Sequence, residues 1–262
     1  MYSDTTSLAR ARRPGRGWRG YFAFLKRPRL PAEPTGFSGP ALREVLQLYL
    51  LDLAFMVILL TLAIAAMAQG TAVPQNSVGQ MAFGAGLVAV IVIAAPIVEE
   101  VLFRSWLSGR PGHLFLIPVL IAGAVLGPAF VGFAAYQILA AQGGGSLPGP
   151  VAVAVVAAFL AAIAAAGAWR WRGRPPMGWF ARIFPLAFWL STVIFAFVHV
   201  FNFPDAGMLT VLPFVLPQFV AGSIFGYARV AHGLWASILL HMLHNATFVA
   251  IVLIGLQVGS TA

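Results

Sequence analysis

The chain has 262 residues, 60% of them hydrophobic and 9% charged, with 16 Lys and Arg against 7 Asp and Glu and no cysteine. Soluble domains are about 45 to 50% apolar, so a mean hydropathy of +0.90 excludes an ordinary water-soluble protein and indicates an all-α, polytopic membrane helix bundle. The missing cysteines exclude a disulfide framework, a thiolate metal site and a cysteine nucleophile.

A net charge of +9 does not indicate nucleic acid, because nine of the sixteen basic residues precede residue 44, ahead of the first apolar run. Residues 1–43 read as a basic cytoplasmic tail, partly disordered. Trp18, Tyr21, Phe22 and Phe24 among its arginines leave open a short interfacial helix on anionic lipid. Residues 44–262 form the transmembrane domain.

Seven spans are expected there, near 45–69, 82–108, 114–141, 151–169, 183–203, 209–229 and 233–257, each close to the ~20 residues a bilayer core requires. With the basic tail inside, the segments holding Arg110, then Arg170, Arg172, Arg174 and Arg182, then Arg229 also fall inside. The loops at 70–81 and 142–150 are uncharged and 201–208 carries only Asp205, so they fall outside, as does the C-terminus.

Asp52, in the first span, has no partner nearby in sequence and reads as an interfacial or packing residue. The second span ends in PIVEEVLFR, where Glu99, Glu100 and Arg104 put three charges within six residues. Charge in hydrocarbon is costly and is normally paired or used. Successive helical residues differ by about 100°, so Glu100 and Arg104, at i and i+4, share a face and neutralise each other. Glu99 points elsewhere with no local cation, which leaves it as the carboxylate available to act as a general base.

Phe195 and His199 are likewise one turn apart, placing a ring beneath an imidazole, and His241 and Asn245 direct two hydrogen-bonding groups to one side of the last span. Taken singly, each histidine is as readily an interhelical hydrogen-bond partner as a catalyst. Together, Glu99, His199, His241 and Asn245 are nearly all the strongly polar groups within the spans, and polar groups in lipid seek one another. His113 and His232 fall in expected cytoplasmic loops facing water, and His244 is a spare beside the site.

EEVLFR fits EExxxR, FAFVH fits FxxxH and HMLHN fits HxxxN, in that order on three apolar segments. The combination resembles the CPBP family of intramembrane proteases, which includes the type II CAAX prenyl endopeptidases and bacteriocin-processing and immunity proteins, over roughly residues 85–255. The resemblance implies a peptide hydrolase in which Glu99 and His199 deprotonate a water, His241 and Asn245 hold the oxyanion, and Glu100, Arg104 and Phe195 support the site. It implies no cofactor. A zinc-dependent alternative would use Glu99, His199 and His241 as ligands, but the chain has no HExxH motif and no acidic residue near either histidine in sequence to fix its tautomer.

Two features depart from the pattern: about ninety residues separate EExxxR from FxxxH, and Ser105 stands where glycine is common. With straight helices, Glu99 and His199 also differ in depth by roughly 15 Å at ~1.5 Å per residue. Expected partners are the lipid bilayer and a peptide or membrane-protein substrate, not nucleic acid; the oligomeric state is open. Fifteen arginines to one lysine suggest a GC-rich bacterial genome, hence the inner (plasma) membrane and a substrate without a prenyl group. The rival reading is a non-catalytic scaffold, immunity or transporter-like membrane protein.

Overall fold

The computed structural model describes residues 17–71, 73–77, 83–114, 162–163, 165–171 and 173–261, and all regular structure among them is helical. They fall into two compact units, one within 1–107 and 181–262, the other within 108–180. Helix α1 is Gly17–Lys26, α2 is Gly39–Ala68, and α3 runs over Ala85–Ser108. The short α4, Pro111–Leu114, precedes α5, Gly178–Val198, and the chain closes with α6, Met208–His232, and α7, Leu234–Thr261.

By length and apolar composition, α2, α3, α5 with its terminal turn (Gly178–Asn202), α6 and the Leu234–Gly255 part of α7 can each cross a bilayer. The chain is an integral membrane protein. The spans expected at 114–141 and 151–169 lie almost wholly outside the described residues.

Local chemistry sets the helix ends. Ser38 caps α2 by accepting from the Ala41 N–H at 3.3 Å, and Pro40 occupies the first turn, so the helix begins six residues before the apolar run does. It stops at Gly70, whose φ of +87° suits glycine; Gly70 N–H donates to Met67 O and Thr71 N–H to Ala66 O. Only 6% of the apolar window of α2 is buried, as a lipid-facing helix requires.

Residues 17–26, within the basic tail, are helical and packed. Tyr21 bonds the Ser223 hydroxyl at 2.6 Å, and the Phe24 ring lies 5.0 Å from Phe188 and 5.2 Å from Tyr227. Burial raises the Tyr21 hydroxyl above its ordinary pKa, so it stays protonated. Trp18 and Phe22 lie on the exposed side of the same helix.

Helices α6 and α7 meet at Gly233, whose φ of +114° reverses the chain in one residue. Residues eight places either side of that turn therefore face each other, which sets Phe225 opposite His241. His232, expected in a water-facing loop, is instead buried: its Nδ1 bonds Thr35 Oγ1 at 2.8 Å and its Nε2 lies 3.5 Å from Glu44. Arg229, also expected in a loop, is a buried member of α6. Helix α6 simply continues three residues past its apolar run, because these polar side chains find partners on neighbouring segments.

In the second unit, His113 is half-buried and its Nδ1 bonds Ser108 Oγ at 2.6 Å, while Met177 N–H donates to Gly109 O.

Candidate functional site

A cavity of about 260 Å³ inside the first unit is lined by Glu99 of α3, Phe195 and His199 at the end of α5, Phe225 of α6, and His241, His244 and Asn245 of α7. The four residues read as catalytic thus come to one space from three segments. Glu99 and Glu100, adjacent in sequence, part company there: the Glu99 side chain is 29% exposed and the Glu100 side chain 0%.

Glu100 lies behind the cavity wall. Its Oε1 accepts from Arg104 Nη1 at 2.8 Å, one helical turn away, and from His241 Nδ1 at 2.9 Å. The Arg104 guanidinium, also fully buried, sits 3.8 Å from the centroid of Phe195 and reaches the Gly222 carbonyl at 3.4 Å. A cation over an aromatic face in a water-poor interior is attractive, so Arg104 joins the acidic segment to the FxxxH segment. The Phe195 ring in turn packs 4.8 Å from His199 and 5.6 Å from His241.

Two residues that hold this arrangement were not recognised from sequence. Arg229 donates from Nε to Arg104 O and from Nη2 to Ser105 O, both at 3.0 Å, satisfying carbonyls at the end of α3. An arginine in the last turn of a helix reads as a topology signal, and nothing local shows that it turns inward. Gly222 is the other. A Cβ there would stand 2.8 Å from Phe195 Cδ1 and 3.1 Å from Arg104 Nη2, so only a residue without one lets α6 approach. Gly222→Ala is expected to cost about 1–3 kcal/mol by overpacking, read as a lower thermal midpoint in detergent; an unchanged midpoint would show that the ring has room to move.

Both imidazoles that face Glu99 are fixed at Nδ1. His241 Nδ1 donates to Glu100, its ring stacks on Phe225 at 4.8 Å and 25°, and its Nε2 lies 3.8 Å from Glu99 Oε2. His199 Nδ1 lies 2.7 Å from the Phe195 carbonyl, which can only accept, so this nitrogen carries the proton. Among the described residues, Glu99 Oε2 has no hydrogen-bond partner.

The expected depth gap between Glu99 and His199 closes through helix direction. Contacts between Ser77 and Asn202, and between Phe103 and Ser191, show that α3 and α5 are antiparallel. Side chains on a helix lean toward its N-terminus, so Glu99 and His199 lean toward each other. The bond from His199 to the carbonyl one turn back draws its ring further in.

Asn245 Nδ2 donates to Ile91 O at 2.9 Å, and backbone chemistry makes that carbonyl available. Val90–Ala94 is a π-helical turn, in which Ala95 N–H bonds Val90 O in place of Ile91 O. The next residue, Pro96, has no N–H to offer Ile91. One hydrogen of the Asn245 amide is therefore committed, and the other has no acceptor among the described residues.

Asp52 and His244, read as a packing residue and a spare, are partners: His244 Nδ1 lies 2.7 Å from Asp52 Oδ2. Sequence could not pair residues 192 positions apart; a buried acid and a cavity-lining imidazole find each other only through packing.

The chemistry of the histidines suits a metal, since each holds Nδ1 on an acceptor and leaves Nε2 open, and Glu100 supplies the acidic support absent from the local sequence. The spacing does not suit it: among the described residues no three His, Asp or Glu side chains are grouped closely enough to hold a metal ion.

Residues 81–247 match the family described as Rce1-like, type II CAAX prenyl endopeptidase. Neither the curated proteins nor the solved structures include a match.

Proposed function

The chain belongs to the type II CAAX prenyl endopeptidase Rce1-like family, and on that premise we propose that it is an intramembrane endopeptidase in which Glu99 activates a water against a peptide bond. The observation that carries the reading is the common cavity of Glu99, His199, His241 and Asn245. Glu99 Oε2 and His241 Nε2, 3.8 Å apart, are too far for a direct hydrogen bond, and a cavity water meets the carboxylate where the Glu99 side chain is exposed. Glu99 takes that water's proton, His199 Nε2 orients it from the α5 side, and the water oxygen attacks the scissile carbonyl.

The oxyanion falls to the second amide hydrogen of Asn245 and to His241. With Nδ1 given to Glu100, His241 donates from Nε2 only as imidazolium, and Glu100 then serves as its counter-ion, as the acid of a Ser-His-Asp triad does for its histidine. Glu100 orients this ring, Arg104 holds Glu100, and neither transfers a proton to or from the substrate.

The topology we propose has seven spans, with 114–141 and 151–169 as the two beyond the described ones, the N-terminus cytoplasmic and the C-terminus outside, in a bacterial inner membrane. The substrate is a membrane-embedded peptide or protein. The reading is tested with the full chain in liposomes on two quenched peptides of equal sequence, one carrying an isoprenyl cysteine and one not. Cleavage of either, with new termini found by mass spectrometry, is the expected result, and no cleavage of both overturns it.

The open Nε2 atoms keep one second reading in play, a zinc-dependent form of the same protease with Glu99, His199 and His241 as ligands. Purified enzyme is expected to carry no stoichiometric zinc and to keep its rate after chelator; metal lost together with activity would transfer the reading to the zinc form.

A further inference from the structure

We propose that Asp52 and His244 form a second acid–imidazole dyad of this site, whose role is to protonate the leaving amine. The inference rests on the hydrolase reading. Asp52 lies in α2, outside the stretch that matches the family, and His244 occupies a variable position of HxxxN.

Three observations place the pair in the site. Asp52 is 1% exposed, and a carboxylate held that deep in a spanning helix requires a partner. Its partner is His244 Nδ1 at 2.7 Å, which leaves Nε2 without a hydrogen-bond partner among the described residues. The ring forms part of the cavity wall, facing the same space as Glu99. A buried acid on one ring nitrogen and an open second nitrogen toward the reacting space is the arrangement by which a histidine delivers a proton. Phe225 packs edge-on to His244 at 5.7 Å and stacks on His241, so one ring holds both imidazoles in place.

The chemistry of amide hydrolysis needs this function. When water attacks, a bond forms from its oxygen to the carbonyl carbon and one of its protons passes to Glu99. When the intermediate collapses, the C–N bond breaks, its electron pair stays on nitrogen, and that nitrogen takes a proton from His244 Nε2. The proton on Glu99 then returns through cavity solvent to His244, leaving a carboxylic acid and an amine, which in solvent become carboxylate and ammonium. Glu99 and His244 thus divide the two proton transfers, which lie on opposite sides of the scissile bond.

The charged and titratable groups around His244 are Asp52 on α2, the Tyr21 hydroxyl that senses Asp52 from α1, Glu99 on α3, His199 at the end of α5 and His241 one turn back on α7. The test therefore compares variants within one pH series. Full-length protein in liposomes is assayed on the quenched peptides as wild type, Asp52→Asn, His244→Asn, His244→Ala and Glu99→Gln. Asp52→Asn keeps an oxygen for His244 Nδ1 and so preserves the fold.

Both dyad variants are expected to lower kcat with KM unchanged, His244→Asn by about 10²- to 10⁴-fold. The alkaline limb of the kcat profile should move to lower pH in Asp52→Asn and vanish in His244→Asn, with added imidazole restoring part of the rate to His244→Ala. Wild-type kcat and limbs in both dyad variants, beside a dead Glu99→Gln, would overturn the dyad and leave the protease reading standing. A fall in thermal midpoint with the limbs unmoved would reduce the pair to a tie between α2 and α7. Glu99→Gln as active as wild type would remove both readings.

Discussion

Glu99→Gln is expected to lower kcat/KM on the cleaved peptide by about 10²- to 10⁴-fold, the range for loss of a positioned general base. The substitution is nearly isosteric. Glu99 is half-buried at the cavity, and among the described residues its Oε2 has no hydrogen bond to lose, so the fold should be indifferent to the change. What disappears is the carboxylate that faces His241 Nε2 and takes a proton from water. His199→Ala, by contrast, removes an orienting nitrogen and should be the milder variant. The measurement is initial rate at matched protein level, with thermal midpoint as the control for folding. A Glu99→Gln protein that folds and cleaves normally would point to the non-catalytic scaffold or transporter-like reading.

The largest loss of stability is expected from Arg104→Met. Glu100 and Arg104 are both fully buried, and Arg104 also lies over Phe195 and reaches Gly222 O. Removing one member of a buried pair leaves the other charge uncompensated, a cost of about 3–5 kcal/mol. The double variant Glu100→Gln with Arg104→Met removes both charges and should recover a substantial part of that loss, since a buried pair is worth little against a neutral replacement. Unfolding in detergent, followed by tryptophan fluorescence or light scattering, gives both values. A single variant as stable as wild type would mean that the carboxylate finds another partner. The double variant should still be slow in cleavage, because His241 would lose the carboxylate that fixes its Nδ1.

Much of this site was legible along the chain because membrane burial magnifies every polar residue. Where 60% of residues are hydrophobic, a charge or an imidazole inside a span stands out by type alone. Helical spacing added what lies one turn apart: Arg104 reaches Glu100 at 2.8 Å and Phe195 lies under His199. The residues that went unread, or were misread, share one property. Asp52, His244 and Arg229 look like a packing residue, a spare and a loop charge because their partners are on other helices, 192 residues away for the first pair and 124 or more for Arg229. Pro96 offered a local hint, since a proline inside a span frees a carbonyl for some other donor, but not that Asn245 would be that donor.

Hydropathy and residue type alone determined that this chain lives in a bilayer, which of the described segments are long and apolar enough to cross it, and which ionisable side chains need a reason to be there, because the cost of polarity in lipid acts on each residue by itself. Tertiary structure alone decided which partner each of those side chains takes. His241 turns to Glu100 and faces Glu99, His244 turns to Asp52, and Arg229 seals the end of α3 because α6 and α7 reverse at Gly233 and pack against α2 and α3. Hydrogen bonds and ion pairs act over about 3 Å, and distance along the chain does not set them.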